Sequence, residues 1–124
     1  MQIKISWDQQ EITATLKQTP TAKHLWAALP ISSQAQTWGD EVYFDVPVQA
    51  PLEKDARQVV EPGTVCFWVE GSALALPFGP TPISEGDECR LVTKVNVVGQ
   101  IDGDPKRLGA VKPGAVISVQ QVHG

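Results

Sequence analysis

The residues of this sequence that could contact a ligand are mainly large aromatic side chains at the ends of short apolar runs. Trp38 and Tyr43 flank a Gly39-Asp40 turn, and Trp68 lies near the end of one apolar run, shortly before another leads to Phe78. Tryptophan and tyrosine combine an apolar ring with one polar atom, so they suit a pocket wall, although such pairs also pack across strands for stability alone. We predict a ligand-binding groove lined by Trp38, Tyr43, Trp68, Phe78, Pro80, Thr81 and Pro82.

Acidic side chains near the same turn offer a second chemistry. Asp40, Glu41 or Asp45 could act as acid or base in a small-molecule enzyme, but charges at such positions are more often simply turn and edge residues. No Ser-His-Asp set or phosphate-binding loop accompanies them. The sequence therefore leaves the catalytic residues unknown.

The cysteines and the remaining acidic residues do not form a metal site in the sequence. Cys66 and Cys89 lack Cys-x-x-Cys spacing, and the acidic segment 84–88 lacks the ligand spacing of a calcium loop. We expect no metal, no cofactor and no disulfide between these two cysteines, of which Cys66 lies in a strand and Cys89 in a loop.

Charge and length limit the possible partners. The 124 residues carry a net charge of −4, and the ten Lys and Arg are scattered, so the basic patch that nucleic acid requires is missing. No apolar run approaches the roughly 20 residues of a membrane span, and the first residues lead directly into a strand pattern. We expect a single domain over residues 1–124 in the cytoplasm.

Short alternating runs between turns predict a mainly β structure. The predicted strands cover residues 2–7, 11–16, 31–38, 41–46, 64–69, 73–78, 91–101 and 115–122. Thr19 and Pro20 are typical of a helix start, and the apolar residues at 22, 25, 26 and 29 lie on one helix face. Asp104 and Pro105 begin a second, very short helix, and residues 47–61 form a long connection.

The hairpin within residues 61–82 is apolar on both faces, with Val65 and Phe67 on one and Cys66 and Trp68 on the other. Such a hairpin must be covered on both sides. The predicted core residues are Ile3, Ile5, Val42, Phe44, Val65, Phe67, Val95 and Val97, with Ala22, Leu25, Trp26 and Leu29 of the helix closing one end.

Three stretches resemble the small prokaryotic cyclophilin-like family, single domains with a minimal cyclophilin fold. They are TWGDEVYF at 37–44, EPGTVCFWVEGSALALPFGPTP at 61–82 and VNVVG at 95–99. The resemblance covers nearly the whole chain. It implies a closed eight-stranded antiparallel barrel with two helices capping the ends.

The resemblance also bears on activity, because true cyclophilins are peptidyl-prolyl isomerases with an essential arginine on the third strand. Residues 31–44 contain no arginine, and the arginines of the chain are Arg57, Arg90 and Arg107. Loss of such a donor typically costs about two to three powers of ten in rate.

We therefore expect a domain that binds a peptide or small molecule in its aromatic groove without efficient isomerase activity. The alternatives are a weak or atypical peptidyl-prolyl isomerase, a small-molecule enzyme, and a structural role in which the aromatic face joins two copies of the chain as a homo-oligomer.

Overall fold

A computed structural model describes residues 1–123. This part of the chain contains ten strands, one α-helix and one 3-10 helix. In chain order they are β1 (Gln2–Trp7), β2 (Gln10–Leu16), α1 (Pro20–Ala28), β3 (Ile31–Gln34), β4 (Gln36–Thr37), β5 (Glu41–Asp45), β6 (Arg57–Val60), β7 (Thr64–Trp68), β8 (Ala73–Pro77), β9 (Cys89–Ile101), the 3-10 helix (Pro105–Ala110) and β10 (Val116–Val122).

The strands form an antiparallel sheet in the order β3-β10-β1-β2-β9-β7-β8-β5-β4, and β6 pairs separately with β9. The mainly β, antiparallel character and the two helices are confirmed. Closure into an eight-stranded barrel is not supported, because no strand ladder within residues 1–123 joins β3 to β4.

The two ends of this path belong to one stretch of chain, the predicted strand 31–38, which is interrupted at Ala35. The Ala35 backbone N–H donates to the Ala115 carbonyl oxygen at 2.8 Å. The first half of the stretch pairs with β10 and the second half with β5. The single predicted strand is therefore two short strands, each at one end of the sheet.

The main core lies on the inner face of this sheet and is closed at one side by α1. Ile3, Ile5, Val42, Phe44, Val65 and Phe67 are all buried in it, as predicted. The Thr19 hydroxyl accepts a hydrogen bond from the Ala22 backbone N–H at 3.2 Å, which satisfies one of the free donors at the helix start. The helix then buries Ala22 and Leu25 against the core, while Trp26 is only partly buried.

Strand β9 changes face along its length. A register shift opposite Val65 and Cys66 places Val98 and Ile101 in the main core. Val95 is buried in a second cluster instead, and Val97 packs against it. Val95 is therefore buried as predicted, but in the second cluster, while Val97 is only partly buried, because strict alternation does not survive the irregularity.

The predicted long connection 47–61 contains β6, which the sequence did not indicate. The connection is held by Asn96, which has no exposed surface and accepts a hydrogen bond from the Glu53 backbone N–H at 2.8 Å. The Asn96 amide donates to the Pro51 carbonyl oxygen and to the Thr21 hydroxyl, both at 2.9 Å. These bonds join the connection, β9 and the start of α1.

The second cluster covers the outer side of the central hairpin, which confirms the expectation that both of its faces are covered. It contains Val60, Cys66, Ala75, Cys89, Leu91 and Val95. Both cysteines are free and buried. The placement of Cys89 in a loop is wrong, since β9 begins at this residue. No helix in residues 1–123 combines the length and apolar character needed to cross a membrane.

Candidate functional site

A cavity of about 250 Å³ lies on the outer face of β5, β8 and β7, which is the face that points away from the main core. Its lining is mostly apolar and includes three aromatic rings. The lining residues are Trp38, Glu41, Tyr43, Trp68, Ala73, Ala75, Leu91, Val92 and Val95.

The space arises from the alternation of large and small side chains along β8. Leu74 and Leu76 are buried in the main core, whereas Ala73 and Ala75 point to the outer face. Tyr43 of β5 pairs with Ala75, and Trp68 of β7 pairs with Ala73. Each large ring therefore stands beside a methyl group, which leaves room between the rings.

The opposite wall comes from the first half of β9. Leu91 and Val95 are buried there, while Val92 is half exposed at the edge of the cavity. This half of β9 is held by β6, whose Val59 and Val60 pair with Arg90 and Cys89. The strand that the sequence did not indicate thus supports one wall of the candidate site.

Trp68 is fixed at two points. Its indole N–H donates to the Thr93 hydroxyl oxygen at 3.1 Å. Its ring also lies directly over Gly71, where an added Cβ would be 2.2 Å from the ring atom Cε3. A side chain at position 71 would therefore displace this wall of the cavity.

Glu41 is the acidic group of the site. Its side chain lines the cavity on β5, yet the residue is only 6% exposed. Its Oε1 atom is buried and has no hydrogen-bond partner within residues 1–123. Burial raises the pKa of Glu41 to about 7, because the charged form loses solvation. The carboxyl therefore changes protonation near neutral pH.

A tight turn places Trp38 and Glu41 together at one end of the cavity. The Trp38 backbone N–H donates to the Glu41 carbonyl oxygen at 3.0 Å, and Gly39 takes a positive φ of 59°. The segment 78–82 packs behind this turn. The Asp40 N–H donates to the Pro80 carbonyl oxygen at 2.9 Å, and the Phe78 N–H donates to the Asp40 carbonyl oxygen at 2.8 Å.

The predicted groove residues thus fall into two groups. Trp38, Tyr43 and Trp68 line one cavity together. Phe78 packs against the main core, and the arm formed by Pro80, Thr81 and Pro82 supports the turn from behind instead of lining the cavity. In this arm Thr81 is buried and its hydroxyl donates to the Arg90 carbonyl oxygen.

Six lining residues are not among the predicted groove residues: Glu41, Ala73, Ala75, Leu91, Val92 and Val95. The sequence indicates Glu41 only as a possible acid or base, and its burial has no local signal. Ala73 and Ala75 did have a signal, since the pattern Ala-Leu-Ala-Leu at 73–76 places small residues on one face of a strand next to Trp68.

The two thiols near the site are poorly suited to nucleophilic chemistry. Burial raises the pKa of Cys66 far above its usual value, with a smaller contribution from Glu41. Burial likewise raises the pKa of Cys89 to about 11. Because the thiolate is the reactive form, both cysteines are unreactive near neutral pH.

Comparisons with known proteins agree with this fold. The hypothetical protein AF2241 from Archaeoglobus fulgidus, known from a solution structure, is 35% identical with a TM-score of 0.83, over 98% of this chain and 95% of that one. McbB, solved in complex with tryptophan, is 18% identical with a TM-score of 0.70, and 98% of this chain matches 45% of McbB, which shows a shared fold. No curated protein sequence gives a significant match. The family model for cyclophilin-like proteins matches residues 1–120, so the chain belongs to the cyclophilin-like family.

Proposed function

We propose that this protein binds a small molecule, or one bulky side chain of a peptide, in the cavity between β5, β7, β8 and β9. The observation that carries the proposal is an apolar cavity, lined by three aromatic rings, that contains one buried carboxyl with an unpartnered oxygen. Ligand sites usually combine apolar walls with a few placed polar groups, and Glu41 supplies such a group here.

The size of the cavity favours a small ligand. Its volume of about 250 Å³ lies just below the roughly 300–1,000 Å³ of sites for drug-sized molecules. A single aromatic ring with a short polar chain matches that space better than an extended peptide does. McbB, which shares the fold, was solved in complex with tryptophan, a ligand of this size class.

The proposal does not include efficient isomerase activity. None of the chain's three arginines, all within the described residues, lines the cavity. Arg57 and Arg107 are exposed, and the Arg90 guanidinium contacts the Glu88 carboxylate at 2.6 Å. No guanidinium is therefore positioned to stabilise a twisted X-Pro bond in the cavity. A weak or atypical isomerase remains the alternative function.

We further propose that nucleic acid is not a partner, on the basis of the net charge of −4 and the scattered basic residues. A cytoplasmic location without a membrane partner is also part of the proposal. A homo-oligomer is compatible with this proposal only if the second copy leaves the cavity mouth at Val92 open.

The test is to fill the cavity from the β8 side. Ala75→Leu adds a side chain of the right size to the empty space, whereas Ala27→Leu makes the same change on the exposed side of α1. Saturation-transfer NMR with p-cresol and indole as probes should show binding to the wild type and to Ala27→Leu, and its loss in a folded Ala75→Leu variant. Equal binding to all three proteins would contradict the proposed site.

A further inference from the structure

The cavity contains one charged side chain and no opposite charge to pair with it. Glu41 is the acidic member of the lining, and the lining contains no lysine, arginine or histidine. Its buried Oε1 has no partner in the part of the chain that the structure describes. A buried carboxylate without a partner is unfavourable, so the chemistry of the site is incomplete without a donor from outside.

We propose that the cavity selects an organic cation, in which an ammonium group on a small apolar or aromatic body pairs with Glu41 while Trp38, Tyr43 and Trp68 contact the rest. The inference rests on the proposed function and names the class of ligand for the same site. The three rings support it independently, because aromatic faces attract cations and do so more strongly where water is excluded.

The groups around Glu41 do not supply a competing cation. Tyr43 lies on the same strand, Cys66 and Cys89 lie in the adjacent second cluster on β7 and β9, and Asp40 precedes Glu41 in the turn. None of these residues is a lysine, arginine or histidine.

Farther out, the charges acting on Cys89 include those of Glu61 and Asp87, which are also acidic. Arg90, next to Leu91 on β9, is engaged by Glu88 and lies 3.9 Å from Glu85. The net field at the buried carboxyl therefore favours a positively charged ligand over a neutral or negative one.

Cation binding should be coupled to loss of the Glu41 proton. Burial holds the pKa of Glu41 near 7 in the free protein, so a cation that requires the carboxylate binds better as the pH rises through this value. Only about a tenth of the protein is ionised at this site one pH unit below the pKa, and about nine tenths one unit above it, so affinity should rise about tenfold over that range.

Three probes of similar shape test the inference: 2-phenylethylamine as cation, 2-phenylethanol as neutral molecule and 3-phenylpropanoate as anion. Dissociation constants are measured by calorimetry on the whole chain, one pH unit below and one above 7. At the higher pH the amine should bind about ten- to a hundredfold more tightly than the alcohol, as expected for a bond to a charged group, and its affinity should fall about tenfold at the lower pH.

Glu41→Gln should remove both the preference for the amine and its dependence on pH. Asp45→Asn is the matched control, because Asp45 lies on the same strand but is exposed and outside the cavity lining; it should leave both unchanged. The pH dependence of the wild type provides a readout that does not depend on how well either variant folds.

The outcomes separate the two proposals. If 2-phenylethanol or 3-phenylpropanoate binds as well as the amine, or if Glu41→Gln keeps the preference, the cation inference is overturned while the proposed binding function stands. If none of the three probes binds at millimolar concentration, both are overturned.

Discussion

Glu41 is the residue at which stability and function conflict in this molecule. Its carboxyl is buried beside aromatic rings, and one oxygen has no hydrogen-bond partner among residues 1–123. Such a group lowers the free energy of unfolding whenever it is ionised, unless a partner compensates. A buried, unpaired carboxyl at a cavity is typical of a binding or catalytic position.

The cost at Glu41 predicts a specific pH dependence of folding. Its pKa of about 7 in the folded protein is above the ordinary value of 4.5, so the folded state binds the proton more tightly and loses stability as the pH rises from about 4.5 through 7. The free energy of unfolding should fall by about 3 kcal/mol over this range, since each pKa unit corresponds to about 1.4 kcal/mol. Urea unfolding of the wild type and of Glu41→Gln at pH values on either side of this range measures it.

In Glu41→Gln this component of the pH dependence should be absent, whereas Asp45→Asn should retain it. The comparison between variants cancels the contributions of the other titrating groups. If the free energy of unfolding of Glu41→Gln changed between the two pH values as much as that of the wild type, the carboxyl would not be buried as described.

At the scale of elements, the cavity depends on a turn and the arm behind it. Gly39 lies so close to the arm that an added Cβ would be 2.9 Å from the Pro80 carbonyl oxygen and from the Thr81 Cα. The same turn holds Trp38 and Glu41 at the end of the cavity. The arm thus acts on the site indirectly, through the position of the turn.

Gly39→Ala tests this coupling, and Gly86→Ala is its control. Both glycines have a positive φ, 59° and 66°, but a Cβ at Gly86 would meet nothing within 4 Å. In both variants the unfavourable φ should lower the free energy of unfolding by roughly 1–2 kcal/mol. Gly39→Ala should lose about 1–3 kcal/mol more from overpacking and should weaken probe binding. Thermal or urea unfolding measures both variants. An equal decrease in the free energy of unfolding of Gly39→Ala and Gly86→Ala would contradict the close contact between turn and arm.

The elements that could be predicted from the sequence are those with strong local signals. The Thr19-Pro20 start defines α1, alternating apolar residues define β1 and β2, and two short apolar runs define the central hairpin. The face change of β9 could not be predicted, because it depends on a bulge opposite Val65 and Cys66. β6 was missed since its only buried residue is Val60 and its pairing is set by β9.

In the site, too, some residues have a local signal in the sequence and others do not. Trp38, Tyr43 and Trp68 could be proposed from residue type and strand alternation. Phe78 packs against the main core and the arm lies against Gly39, so neither lines the cavity, and no local pattern in the sequence indicates these contacts. The burial of Glu41 depends on the tertiary packing around β5, which no local pattern encodes.

At the scale of the whole molecule, the sheet has two apolar sides with different packing. The inner side is filled by the main core and α1, with Phe44 and Phe67 almost completely buried. The outer side is only partly filled, because the second cluster leaves the cavity between β8 and the first half of β9. The family fold thus provides a stable layer and, on its other face, a surface on which a site can form.

The positions of the arginines predict the outcome of an isomerase assay. The uncatalysed barrier of roughly 18–20 kcal/mol falls when the amide loses double-bond character, and an aromatic cavity that binds both states equally does not lower it. On an X-Pro peptide, the protein should accelerate isomerisation far less than a true cyclophilin in the same assay. Single Ala variants of Arg57, Arg90 and Arg107 should change little. Robust activity that disappears in Arg57→Ala would support the isomerase alternative.

The four tryptophans allow the most direct measurement of ligand binding in the cavity. Trp38 and Trp68 line it, whereas Trp7 lies in the main core and Trp26 on α1. In a ¹⁵N-labelled sample titrated with p-cresol, the indole N–H signals of Trp38 and Trp68 should shift together and saturate, while those of Trp7 and Trp26 stay in place. Unchanged signals for all four, or shifts confined to Trp7 or Trp26, would contradict the proposed site.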